Sequence, residues 1–260
     1  MDRDRIYKML DNDVDKIAIA HGLDCAEMAA DKNMIKETHF LDPYHVDILT
    51  RATNSVFGVK ALVEGGFPDS ERKKIVFYPD YFMKEDIEPE IAFVEITGTN
   101  LEKLTHRDYL GSILGLGLKR EKIGDIIVTD HGCQVVISKD ILSYVINNLS
   151  KVGSIDVKVD EIFPHELKIT PSKVKEINGT VASLRLDAVA SLGFGVSRTK
   201  VGALIKSDKV KVQYKAINNP AHNINEGDII SIRGRGRMEV AEVGKLTKKN
   251  RIHLNVKKYL

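Results

Sequence analysis

The sequence predicts an α+β protein in three parts: a helical N-terminal segment (1–72), a middle domain ordered β-α-β-β-α-β (73–172), and a small basic C-terminal module (178–260). Three observations lead there. Apolar residues at helical spacing fill the first part, β-branched runs alternate with helical patterns in the second, and positive charge gathers in the third.

Composition sets the outer bounds. With 43% hydrophobic and 29% charged residues, the 260-residue chain is globular and long enough for two or three small cores, which excludes disordered and collagen-like classes. No run of about 18 or more apolar residues occurs, and Met1-Asp2-Arg3-Asp4-Arg5 lacks the apolar core of a secretion signal. The expectation is a cytoplasmic protein without a membrane partner. Cys25 and Cys133 stand far apart with no second thiol near either, so both read as core thiols and not as a disulfide or zinc framework. The eight histidines are scattered, and neither a metal nor a cofactor is expected.

The net charge of +2 hides a division. From Glu176 onward sixteen Lys or Arg face seven Asp or Glu, a net of +9, which leaves −7 for the rest. A basic module beside an acidic one is the footprint of a polyanion binder, because clustered Lys and Arg release counterions condensed on phosphates.

In the N-terminal segment Ile6, Met9 and Leu10, then Val46, Leu49 and Val56, mark helical faces, and Gly65-Gly66-Phe67-Pro68 breaks the pattern. Lys73–Tyr78 is a possible leading strand, and Ile91–Ile96 is a strand. Thr105, with Asp108 three residues on, predicts the start of a helix bearing Leu110, Ile113 and Leu114 on one face. Ile126–Val128 and Val135–Ile137 flank Asp130-His131-Gly132 as a hairpin, a helix follows from about Lys139 to Leu149, and Ile155–Val159 closes the set. This is the split βαβ order of ferredoxin-like and RRM domains. Its strands offer chiefly Phe93 as an aromatic, so base stacking on the sheet is disfavoured, and the fold either contacts RNA in another way or serves only as scaffold or docking surface.

Two stretches of the middle domain form a possible second RNA-binding patch. His106 and Arg107 fall in the first turn of a helix, where backbone N–H groups attract phosphate, and Lys119, Arg120 and Lys122 make a basic loop after it. The alternative is capping and a solvated face. Gly115-Leu116-Gly117 invites a nucleotide-loop reading, but it closes a helix where that motif must open one, so the glycines read as a helix exit.

The C-terminal module predicts a helix over Val181–Leu192 ended by Gly193, then a second from Ser197 at the N-cap through Lys206 with Val201, Leu204 and Ile205 buried. Lys209-Val210-Lys211-Val212 alternates as a strand, and Ile229–Ile232 runs into Arg233-Gly234-Arg235-Gly236-Arg237. Arg185, Ser197, Arg198, Lys200, Lys206, Lys209, Lys211, Arg233, Arg235 and Arg237 are the candidate RNA contacts. Arg forks bridge two phosphate oxygens, Lys acts as a mobile point charge, and the glycines between Arg233 and Arg237 allow close backbone approach. An Arg185–Asp187 surface pair is the competing reading for Arg185.

Arg185-Leu186-Asp187, Ser197-Arg198-x-Lys200, Leu204-Ile205-Lys206, Lys209-Val210, Gly227-Asp228 and the Arg-Gly run together resemble the S4 domain, the αL RNA-binding motif, over about 180–240. The Thr105–Asp125 stretch and Phe77-Tyr78-Pro79-Asp80-Tyr81 resemble the YlmH family, which would span the whole chain. That resemblance implies a helical segment, an RRM-like middle and an S4 domain, with rRNA or tRNA on the ribosome as partner and a role on large subunits carrying a stalled chain. The expected function is non-catalytic RNA binding. The competing one is an RNA-modifying enzyme with an appended S4 domain, but residues 1–175 place no methyltransferase glycine loop, pseudouridine synthase aspartate motif or synthetase nucleotide signature.

Overall fold

The computed structural model describes residues 3–8, 10, 13–54, 56–169 and 174–259; Met9 and the 172 boundary lie outside them. The chain divides into two compact units, 1–170 and 171–260.

The first unit opens with helices α1 (Arg3–Tyr7) and α2 (Asp13–Lys32), followed by β1 (Lys36–Glu37), α3 (Pro43–Thr53), β2 (Val59–Glu64) and β3 (Lys74–Pro79). Asp42 caps α3, accepting the His45 amide at 3.1 Å, and Pro43 presets the first turn. The segment expected to be mainly helical thus also contributes β1 and β2 to a three-stranded antiparallel sheet, ordered β1-β3-β2, whose central strand is the expected leading strand of the middle domain, paired here with the N-terminal segment. Val59–Glu64 is half-buried and pairs with β3 across six positions, a long-range partnership that helical spacing does not reveal. Ile19, Leu23, Leu49, Ile75 and Phe77 form the core between these helices and strands, joined by the Cys25 side chain.

The rest of the unit follows the predicted order: β4 (Ile91–Gly98), α4 (His106–Gly115), β5 (Ile123–Thr129), β6 (Gly132–Ser138), α5 (Leu142–Asn148), a short β7 (Lys151–Val152) and β8 (Ile155–Ile162). The sheet runs β5-β6-β4-β8-β7 with every pair antiparallel. That is the split βαβ arrangement with one extra edge strand. Thr105 donates its backbone N–H and its hydroxyl to Asp108 Oδ2 at 2.8 and 2.7 Å, starting α4 where the sequence placed it. Gly117, at φ +84°, turns the chain away from the end of α4.

Alternation along the strands sorts the two faces. Val94, Ile96, Val135 and Ile137 meet Tyr109, Ile113 and Val145 of the helices. The opposite face, which RRM domains leave open for bases, is closed: Phe93 and Val136 are buried beneath Phe40, Phe67 and Leu167. A Cβ on Gly66 would come within 2.7 Å of the Phe93 ring, so glycine is what lets the chain lie against it. Gln134 fixes the covering segment by donating to the Glu166 carbonyl at 3.1 Å and accepting from the Lys168 amide at 2.6 Å.

The second unit contains β9 (Val174–Val181), α6 (Leu186–Phe194), α7 (Arg198–Lys206), β10 (Val210–Val212), β11 (Lys215–Ala216), β12 (Ile229–Ile232), β13 (Gly236–Leu246) and β14 (Ile252–Tyr259). The sheet is antiparallel and ordered β11-β10-β12-β13-β14-β9. Its first helix begins at Leu186 and not at Val181, because Val181 is claimed by pairing with Ile252. Nor does Gly193 end that helix: it lies within α6 where a Cβ would meet Met238 Sδ, and Gly195, left-handed at φ +63°, provides the stop. Leu186, Val189, Val201, Ile205, Ile230 and Val240 form the core.

Candidate nucleic-acid interface

The expected contacts of the second unit fall into two groups. In the first, Arg185 and Arg198 converge on Asp187, whose residue is only 8% exposed. Arg185 donates Nε and Nη2 to the two carboxylate oxygens at 3.2 Å each, and Arg198 places Nη2 at 2.9 Å from both. Burial raises the Asp187 carboxyl, yet the two guanidiniums outweigh it and hold the carboxyl below its ordinary range. The Arg185–Asp187 pair, the competing reading for Arg185, is therefore formed, and it is part of a three-residue cluster with one positive charge in excess. Sequence reading missed Arg198 as the second partner; the signal was an Arg-x-Asp followed at one helix length by Ser-Arg. Among the described residues Arg198 uses only Nη2, so its Nε and Nη1 keep their donors for another acceptor.

Ser197 and Lys200 join this group at the start of α7, where Ser197 Oγ accepts the Lys200 amide at 3.4 Å. At the start of α6 the Leu186 and Asp187 amides donate to the His222 and Pro220 carbonyls at 2.8 and 3.1 Å. Those two donors are spent within the protein, so these α6 amides are not available to an anion.

The second group gathers where α7 ends. Lys206 closes that helix, the Arg233 amide donates to the Lys209 carbonyl at 2.8 Å, and Lys211 pairs with Ser231 across the sheet. Arg233 and Arg235 are exposed in the β12–β13 turn, which Gly234 and Gly236 form with φ of +83° and +87°. Arg237 departs from the expected alternation: its guanidinium carbon lies 4.5 Å from the centre of the Tyr259 ring, and burial lowers its pKa.

The second expected patch, in the first unit, is divided by its own hydrogen bonds. His106 and Arg107 are exposed on the first turn of α4, and Lys119 is exposed, 3.8 Å from Glu121. Arg120 turns inward and donates Nη1 to the Ile123 and Gly124 carbonyls, with burial pulling its pKa down to about 10. Lys122 is engaged by Asp140 at 2.6 Å. Desolvation of the ring, with Arg120 beside it, lowers the His106 imidazole below its ordinary value.

Around Arg120 runs a polar seam binding the two sheets of the first unit. Arg72 donates Nη2 to the Phe40 carbonyl at 2.7 Å and Nε to the Ile123 carbonyl at 3.0 Å, while Asp125 accepts the Glu71 and Arg72 amides. Burial raises the Asp125 carboxyl despite these partners. Both cysteines are buried thiols, Cys25 pushed up by burial to about 11 and Cys133 higher still. Among the described residues no group of three or more His, Cys, Asp or Glu could hold a metal, and no helix is long and apolar enough to cross a membrane.

Two helices packed on a small antiparallel sheet, with arginines at the helix starts and lysines at the strand edge, define an RNA-binding protein of the S4 class. Residues 184–230 match the S4 domain family. Residues 14–82 match "YlmH, N-terminal" and residues 84–166 match "Putative RNA-binding domain in YlmH". The chain belongs to the YlmH family: it is 33% identical over 247 residues, 95% of each chain, to the ribosome-associated protein quality control protein P2 of Bacillus subtilis (strain 168). Among solved structures it is similar to the cell division protein ylmH from Streptococcus pneumoniae, at 29% identity and a TM-score of 0.51, covering 62% of this chain and 97% of that one.

Proposed function

We propose that this protein is a non-catalytic RNA-binding factor that acts in the cytoplasm on the large ribosomal subunit, holding rRNA or tRNA during rescue of stalled ribosomes. The single observation that carries the reading is the Arg185–Asp187–Arg198 cluster at the start of the two S4 helices, where a carboxylate orients two guanidiniums without neutralising both. Its nearly full-length likeness to a protein named for ribosome-associated quality control supports the ribosome as the place of action. Arginine and lysine contacts to phosphate position a protein without reading sequence, so recognition rests on RNA shape.

The test is sedimentation of the native protein through sucrose gradients at low and moderate salt, with the RNA of each fraction identified. Co-migration with large subunits, lost in Arg198→Ala/Lys200→Ala, is the expected result. A protein that stays at the top of the gradient at low salt overturns the ribosome as partner.

A further inference from the structure

The last eighteen residues of the chain contain Lys245, Lys248, Lys249, Arg251, Lys257 and Lys258 and not one Asp or Glu. Four of these cations cluster at the far end of the β13–β14 hairpin, outside the residues that match the S4 family.

The tip that carries them is rigidly built. The Thr247 amide donates to the Arg251 carbonyl at 2.7 Å, and the Asn250 amide to the Thr247 carbonyl at 2.9 Å. Asn250 adopts the left-handed conformation at φ +51°, as a short hairpin loop requires. Thr247 Oγ1 accepts the Lys249 and Arg251 amides at 3.3 and 3.0 Å. Arg251 then ties the base of the loop to β9, donating Nε to Thr180 Oγ1 at 2.9 Å and Nη2 to the Thr180 carbonyl at 2.6 Å. Lys245, Lys248 and Lys249 are exposed, and none has an ion-pair partner among the described residues.

The tip also lies at the same end of the sheet as the arginine cluster. Gly179 lies against Leu192, and Gly193 against Met238 and Val256, so α6 runs from the Val181 end of β9 toward its start. Its N-terminus, with Arg185 and Asp187, therefore stands at the Val181–Ile252 end, where the hairpin tip begins.

We infer that the β13–β14 tip is a second phosphate-contact site, in which Lys245, Lys248 and Lys249 grip the backbone of the RNA whose first contacts are Arg185 and Arg198. The inference rests on the RNA-binding reading above. An already ordered turn loses little entropy on binding, and lysines alone, with no aromatic among them, suit a backbone and not base edges. Leu246, 64% exposed beside them, gives an anionic lipid surface the rival claim, which the experiment addresses.

The full chain and its variants are titrated by fluorescence anisotropy with a fluorescein-labelled RNA hairpin of about 16 base pairs over a range of KCl concentrations. Lys245→Gln/Lys248→Gln/Lys249→Gln should weaken binding at low salt at least roughly fivefold and reduce the slope of log K against log salt by about two to three. The triple Lys→Arg variant should retain both, and neither should shift the melting temperature, because the three side chains contact solvent. An unchanged slope in the Gln variant, with Arg198→Ala/Lys200→Ala still weakened, overturns this inference alone. Wild-type protein that ignores the RNA overturns the functional reading and this one together. Loss of binding to phosphatidylglycerol vesicles, with RNA binding intact, assigns the tip to lipid and also overturns it.

Discussion

Arg198 reaches back eleven residues to Asp187 and sets one nitrogen 2.9 Å from each carboxylate oxygen, so the second S4 helix is fastened to the first turn of the other. Asp187→Asn would leave two guanidiniums facing each other over a neutral amide. The expected cost is about 1–2 kcal/mol of stability at neutral pH, read from urea midpoints. The carboxyl lies below its ordinary range in the folded state, so its contribution is complete above the unfolded value near pH 4. It should be lost as pH falls through the folded value, and the variant should match wild type there.

His45 is bracketed by carboxylates, with Nδ1 2.7 Å from Asp42 and Nε2 3.1 Å from Asp15. Burial opposes the imidazolium, but these partners raise the pKa above its ordinary value. The stabilisation is therefore full below about pH 6.5 and declines as pH rises through the folded pKa. His45→Gln should lower the urea midpoint at pH 6 more than at pH 9; equal losses would contradict the assignment.

Phe93 is 7% exposed under Phe40 and Phe67. Phe93→Ala should cost about 3–4 kcal/mol in unfolding free energy while leaving the RNA salt slope of the folded protein unchanged. A variant of normal stability and weak RNA binding would show that the sheet face opens to bases.

Glycine-to-alanine changes in two helices should differ in sign. Gly111 in α4 has open space where a Cβ would stand, so Gly111→Ala should stabilise by about 0.5–1 kcal/mol. In α6 the same change at Gly193 drives a methyl into Met238 and should destabilise by about 1–3 kcal/mol. Thermal melts of both variants decide this.

Local signals carried most of the architecture. The Thr105–Asp108 box, Ser197 before α7 and the alternation of Lys209–Val212 each act within a few residues, and each appears where expected. What escaped depends on distant pairing. Val181 and Leu184 imitate helical spacing, but Val181 belongs to a strand that only β14 can complete, seventy-one residues away in the Arg251–Thr180 bond. Likewise Val59–Glu64 becomes a strand through Lys74–Pro79. For the candidate site, residue type marked Arg185 and Arg198, but only the fold could bring both to Asp187, or turn Arg120 and Arg237 toward carbonyls and a ring.

The seam of Arg72, Asp125 and the Phe40 carbonyl, with Phe40 and Phe67 laid over Phe93, makes the split βαβ sheet a poor candidate for independent life. Excised from residue 84 onward, it would bare a greasy plane and leave Asp125 without the amides it accepts. The C-terminal unit closes a core of its own, whereas the two sheets before it each complete the other.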